Sequence, residues 1–90
     1  MLELKQTTQF KKDLRRMVKR GANMALLEEV ILLLLEQKVL PDRYQDHLLT
    51  GNWARHRDCH IQPDWLLIYR IDDNTLILTM TRTGSHSDLF

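Results

Sequence analysis

Ninety residues, 43% of them hydrophobic, make a single domain (residues 1–90) that buries about two-thirds of its unfolded surface and is too small to enclose a cofactor. The one cysteine, Cys59, rules out an internal disulfide, and the longest apolar run, Val30 to Leu35, falls far short of the roughly 20 residues that span a bilayer. The net charge of +1 hides an asymmetry, because residues 1–21 carry a net +5 and residues 22–90 a net −4.

These limits predict an open cleft rather than a closed pocket. They also predict a cytoplasmic protein, since Met1-Leu2-Glu3-Leu4-Lys5 has no apolar signal core. The basic segment on an acidic body fits an electrostatic footprint for nucleic acid, and fits equally a solvated helix face.

Leu2 to Thr7 alternates apolar and polar residues, which predicts a half-buried strand. With Thr8 as N-cap candidate, Phe10, Leu14, Met17 and Val18 recur at the spacing of one helical stripe, and Gly21 stands where a left-handed C-terminal residue belongs. Asn23 can cap a second helix from about Met24 to Gln37, apolar on more sides than one sheet can cover. Pro41 to Gly51 reads as an irregular polar loop. Three strands follow, near Trp53–Cys59, Trp65–Ile71 and Thr75–Thr81, the last two joined by Asp72-Asp73-Asn74 as a hairpin. The tail from Arg82 to Phe90 is polar except at its end. The expected architecture is α+β, β-α-α-β-β-β, an antiparallel sheet with an N-terminal helical hairpin packed on one face.

The chemistry-bearing residues gather in the C-terminal half. His47, His60 and His86 lie in polar settings beside predicted elements, with Asp64, Arg57 and Arg82 nearby. Imidazole both takes and gives protons near neutrality, and arginine matches a phosphate in geometry. RNA cleavage without a metal needs a base for the ribose 2′-OH, a cation at the phosphoryl oxygens and an acid for the departing 5′-oxygen. An antiparallel sheet could bring the three histidines to one edge. Trp65, Tyr69 and Phe90 offer surfaces on which splayed bases could stack. Singly, each has a plainer reading as a surface, turn or sheet residue, and His56 and Trp53 are read that way. A zinc site is the competing chemistry, but no HExxH, HxH or CxxC spacing is present and the arginines would repel a dication. No metal and no cofactor are expected.

The runs Asp46-His47-x-Leu49-x-Gly51-x-Trp53, Arg57-Asp58-x-His60-x-x-Pro63-Asp64-Trp65-x-Leu67-Ile68-Tyr69 and Arg82-Thr83-Gly84-x-His86, with Leu89-Phe90, resemble the YafQ-type branch of the RelE superfamily of toxins. The resemblance spans essentially the whole chain and is most specific in its C-terminal half. It implies a RelE-like fold and a toxin–antitoxin toxin acting as a ribosome-dependent endoribonuclease. It implies catalytic roles for His47, His60, Asp64 and His86, and a role for Phe90 in placing mRNA. It further implies two partners, a cognate antitoxin and the 70S ribosome with its mRNA. Lys11, Lys12, Arg15, Arg16, Lys19 and Arg20 on the first helix then become candidates for contact with ribosomal RNA. Two alternatives remain: a non-enzymatic binding toxin like the related ParE proteins, which lack this His/Asp set, and a plain RNA- or ribosome-binding module. His56 and Cys59 fall outside the pattern.

Overall fold

A computed structural model describes residues 1–90. In chain order it has β1 (Glu3–Gln6), α1 (Thr8–Lys19), α2 (Met24–Leu35), β2 (His47–Leu48), β3 (Arg57–Gln62), β4 (Trp65–Asp72), β5 (Ile77–Gly84) and α3 (His86–Leu89), with 3₁₀ turns at Asp42–Tyr44 and Gly51–Trp53. The α+β class and the helical hairpin on one face are as expected. The sheet order is β1-β5-β4-β3-β2.

The sheet is mixed rather than antiparallel, because β1 runs parallel to β5 at one edge. Alternation in a sequence shows which side chains share a face, but not the direction of the neighbouring strand. Two short elements were also absent from the expectation. β2 is too short to show alternation, and α3 is too short to show helical periodicity.

Local chemistry sets the helix ends. Thr7, not Thr8, caps α1: its Oγ1 accepts from the Phe10 amide at 2.9 Å and donates to the Thr81 carbonyl at 2.7 Å, stitching the helix start to β5. Gly21, at φ +81°, makes the left-handed exit. Asn23 caps α2 through the Ala25 amide, as predicted. That helix stops at Leu35, and Gln37 turns away at φ +56°.

The α1 stripe also departs from expectation. Val18 is exposed, while Asp13 is completely buried among side chains of α1 and β5. The predicted strand from Trp53 begins only at Arg57, because Trp53 to His56 forms a turn in which the His56 amide donates to the Trp53 carbonyl. The last strand begins at Ile77 because the Asp72 carboxylate accepts from the amides of Asn74 and Thr75 and holds them in the hairpin turn.

The main core lies between the helices and one face of the sheet, where Phe10, Leu27, Val30, Cys59, Leu67, Tyr69, Leu78 and Met80 are buried. Each large apolar side chain buried there contributes about 1.5–3 kcal/mol. On the other face Leu66, Ile68 and Leu89 form a small cluster, edged by Leu49 and Trp53. No helix is long and apolar enough to cross a membrane.

Candidate active site

Strand alternation divides β3 between the two faces. Cys59 and Ile61 enter the main core, so Asp58 and His60 point to the face the helical hairpin leaves open. Their partners on β4, Ile68 and Leu66, share that face. His47 is paired directly opposite Asp58 in the β2–β3 ladder, which brings a third chain segment to the site. Leu89 packs on Leu66 and Ile68, which lays α3 over the same face and delivers His86.

Gly84 allows this close approach, since a Cβ there would stand 2.9 Å from the Asp88 side chain. Ser85 and Asp88 form a reciprocal capping box, and Arg20 at the end of α1 grips Asp88 through Nη1 at 2.6 Å and Nη2 at 3.1 Å. Both contacts hold the Asp88 carboxyl well below the usual carboxylate range, the Arg20 hydrogen bond contributing most.

The result is a row of three imidazoles with His60 in the middle. Its ring centroid lies 5.4 Å from that of His86 and 6.4 Å from that of His47. At one end the Asp64 Oδ1 accepts from the His86 amide at 2.9 Å and from its Nδ1 at 2.7 Å. These bonds, the backbone one foremost, lower the Asp64 carboxyl from its ordinary value. At the other end the His47 Nδ1 donates to the Gln45 carbonyl at 2.8 Å. Each terminal histidine is therefore anchored at Nδ1 and keeps Nε2 for other partners.

Beneath the row lies Asp58, 3% exposed. Its Oδ1 is 3.8 Å from His60 Nε2 and its Oδ2 is 4.0 Å from His47 Nε2, while Oδ1 makes no hydrogen bond. Burial pushes the Asp58 carboxyl up, and the neighbouring imidazoles of His47, His60 and His86 oppose the shift only in part. Sequence reasoning gave Asp58 no role of its own. The available signal was its alternation with His60, but only the fold shows that it is buried. No group of three His, Cys, Asp or Glu side chains converges closely enough to cage a metal ion in this conformation.

The other sequence candidates divide. Phe90 is 61% exposed, so its ring is open to a base. Trp65 and Tyr69 are not stacking surfaces, being 2% and 1% exposed. The Trp65 indole donates to Thr83 Oγ1 at 2.9 Å, and the Tyr69 hydroxyl donates to Asp46. Both faced the core because the core side of β4 takes large aromatics as readily as a binding surface does. Arg57 lies on the opposite face of β3 from the imidazoles and is bound to Asp46, so it does not join them. Arg82 donates through Nε and Nη2 to Asp13, each at 3.0 Å, leaving Nη1 without a partner in the chain. Of the basic α1 residues, Lys11, Lys12, Arg15 and Lys19 are exposed and unpaired, whereas Arg16 binds Asp13 and Arg20 binds Asp88.

The family model of a bacterial toxin of a type II toxin–antitoxin system, YafQ, matches residues 2–90. The chain belongs to the YafQ toxin family. The mRNA interferase toxin YafQ of Escherichia coli K12 is 38% identical over 89 residues, covering 98% of this chain and 95% of that protein. The metal-bound toxin crystallised from Helicobacter pylori superposes with a TM-score of 0.94 at 40% identity, over the full length of both chains. The E. coli DinJ–YafQ complex superposes with a TM-score of 0.91 at 37% identity, covering 100% of this chain and 99% of the YafQ-like one. The five-stranded sheet with its helical hairpin is thus the RelE-like fold as YafQ toxins build it.

Proposed function

We propose that this toxin is an endoribonuclease that cleaves mRNA in the ribosomal decoding site by 2′-OH attack, with proton transfers carried by the imidazole row. The observation that carries the reading is the row itself, three histidines from three chain segments on one open face, two of them anchored at Nδ1. The name of the E. coli relative, an mRNA interferase, supports it.

His86 is the general acid. Its Nδ1–H bond to Asp64 is strongest when the ring is protonated, and Nε2, which makes no hydrogen bond in the chain, is left to protonate the leaving 5′-oxygen. Asp64 is a positioning residue: its carboxylate, lowered from its usual range, accepts from the His86 amide and Nδ1 and so fixes the ring. His47, whose Nδ1 holds its proton on the Gln45 carbonyl, presents Nε2 as the base for the ribose 2′-OH. His60 between them faces the phosphoryl oxygens, with Arg82 Nη1 as the cation and Phe90 as the platform that places the RNA. Asp58, under the row, compensates the charge that accumulates when more than one ring is protonated.

The exposed lysines and Arg15 of α1 dock on ribosomal RNA in the cytoplasm. An antitoxin, as DinJ is for the E. coli toxin, covers the chain when it is inactive. α2 leaves Leu32 exposed, in keeping with such a partner.

The test is cleavage of mRNA on programmed ribosomes, held throughout in the magnesium they need, by toxin stripped beforehand with chelator and by untreated toxin. Expected products carry a 2′,3′-cyclic phosphate and a 5′-hydroxyl, at a rate that stripping leaves unchanged. Because the H. pylori toxin binds a metal, the decisive contrary result is activity lost in the stripped toxin at constant magnesium and restored by adding back a transition-metal ion.

A further inference from the structure

Beside the imidazole row lies an open cleft of about 600 Å³. Its walls include Glu29 of α2, Arg43, Tyr44 and Gln45 of the 3₁₀ turn and its exit, and His60 and Gln62 at the end of β3. We propose that this cleft is the subsite that seats one nucleobase of the RNA next to the scissile phosphodiester. The inference rests on the nuclease reading and adds to it the residues that select sequence.

The cleft is continuous with the site. His60 belongs to both, and Gln45 on the rim accepts the His47 Nδ1 hydrogen bond, so both ends of the cleft are tied to the row. A β-bulge between His60 and Gln62 shifts the register there, and bulges of this kind re-aim a side chain beside an active site.

The cleft also has the parts a base needs. Arg43 lies with its guanidinium carbon 4.8 Å above the Tyr44 ring, and its Nη2 donates to the Tyr44 hydroxyl at 3.0 Å. The Tyr44 ring is buried and the Arg43 side chain is 68% exposed, so the planar cation forms a supported, solvent-facing platform. Unpaired RNA bases stack on guanidinium planes and are read by hydrogen bonds along their edges. Around the platform stand the exposed amides of Gln45 and Gln62, which donate and accept, and the Glu29 carboxylate, 3.6 Å from Arg43 Nη2. That contact is exposed and contributes little, so RNA can displace it. The volume suits one base with its waters.

The experiment compares wild type with Arg43→Ala and Gln62→Ala, neither of which touches the imidazoles' own hydrogen bonds. Programmed ribosomes carry an mRNA library randomised around the cleavage point, and the rate is read for each sequence. Loss of a stacking platform should lower cleavage of favoured sequences by about tenfold and leave disfavoured ones unchanged, so that discrimination at one nucleotide position collapses. An unchanged profile, or an equal fall at every sequence, overturns the subsite.

A second measurement titrates adenosine, guanosine, cytidine and uridine 3′-monophosphates, and inorganic phosphate, against the labelled chain by NMR. Nucleotides but not phosphate should shift the Arg43, Tyr44 and Gln62 amides, and Arg43→Ala should abolish the effect. Shifts confined to the histidines, equal with phosphate alone, also overturn it. If wild type leaves ribosome-bound mRNA intact while the nucleotide shifts persist, the nuclease reading fails and the base subsite stands.

Discussion

Two buried carboxylates, one on each side of the sheet, show how differently one fold can treat the same group. Asp13, on the helix-covered side, accepts from Gln9, Arg16, both forks of Arg82 and the Thr83 amide. Burial alone would raise its carboxyl, but the hydrogen bonds from Arg82, Gln9 and Thr83 outweigh burial and lower it. Asp58, on the open side, has no hydrogen bond to Oδ1 and only imidazoles at 3.8 and 4.0 Å, and burial wins. A satisfied buried charge holds structure together, whereas one without hydrogen bonds is costly to bury and is the kind of group that functional sites concentrate.

The largest expected effect is on the satisfied side. Asp13→Ala strands the buried Thr83 amide and takes from Arg82 the carboxylate that holds two of its nitrogens, and should cost about 3–5 kcal/mol of stability. Denaturant unfolding measures it, and a loss below roughly 1 kcal/mol would mean that Asp13 is not the clamp between α1 and β5.

Next comes the site itself. His86→Ala should slow single-turnover cleavage by roughly a hundredfold or more. It should leave stability within about 0.5 kcal/mol, because the ring is more than half exposed. Near wild-type cleavage, or inactivity that tracks unfolding, would remove His86 from the acid role.

A smaller effect, of opposite sign to that of Asp13, belongs to Asp58→Asn. Removing a poorly compensated buried charge should gain roughly 0.5–2 kcal/mol at neutral pH while cleavage falls. The pH dependence separates the two residues. Asp13, lowered in the folded state, adds stability above the unfolded carboxylate value of about 4 that is lost as pH falls through its folded value. Asp58, raised in the folded state, favours folding below about pH 4, and that contribution fades as pH rises through its folded value. Unfolding curves across the acid range should therefore lose their acid-side fall in Asp13→Asn and their mildly acidic decline in Asp58→Asn. Identical curves for the two variants would erase the contrast.

The smallest effect on the molecule concerns the α1 surface. Neutralising Lys11, Lys12, Arg15 and Lys19, which make no ion pair, should leave stability unchanged yet weaken ribosome binding and flatten its salt dependence. Ribosome affinity and salt slope equal to wild type would return that face to solvent alone.

Much of this was legible in the chain. Asn23, Gly21, the helical hairpin and the Asp72 turn each carry a local signal whose physics is complete within a few residues, and the structure keeps them. The imidazoles were legible as residue types, and the YafQ resemblance named them together. α3 had a signal too, the Ser85-x-x-Asp88 capping pattern, but at four residues it carries no periodicity to support it.

What the sequence determined by itself was the local menu: caps, turns, the α+β order and a C-terminal half rich in proton carriers. The tertiary structure alone decided direction and depth. It ran β1 parallel to β5, turned Trp65 and Tyr69 into the core, gave Arg57 to Asp46 and Arg82 largely to Asp13, and buried Asp58 against His47 and His60. The reason is that an arginine, an aspartate or an aromatic looks the same in a sequence whether its partner is water, substrate or another side chain. That partner is fixed only when elements far apart in the chain pack, as Asp13 meets Arg82 across 69 positions.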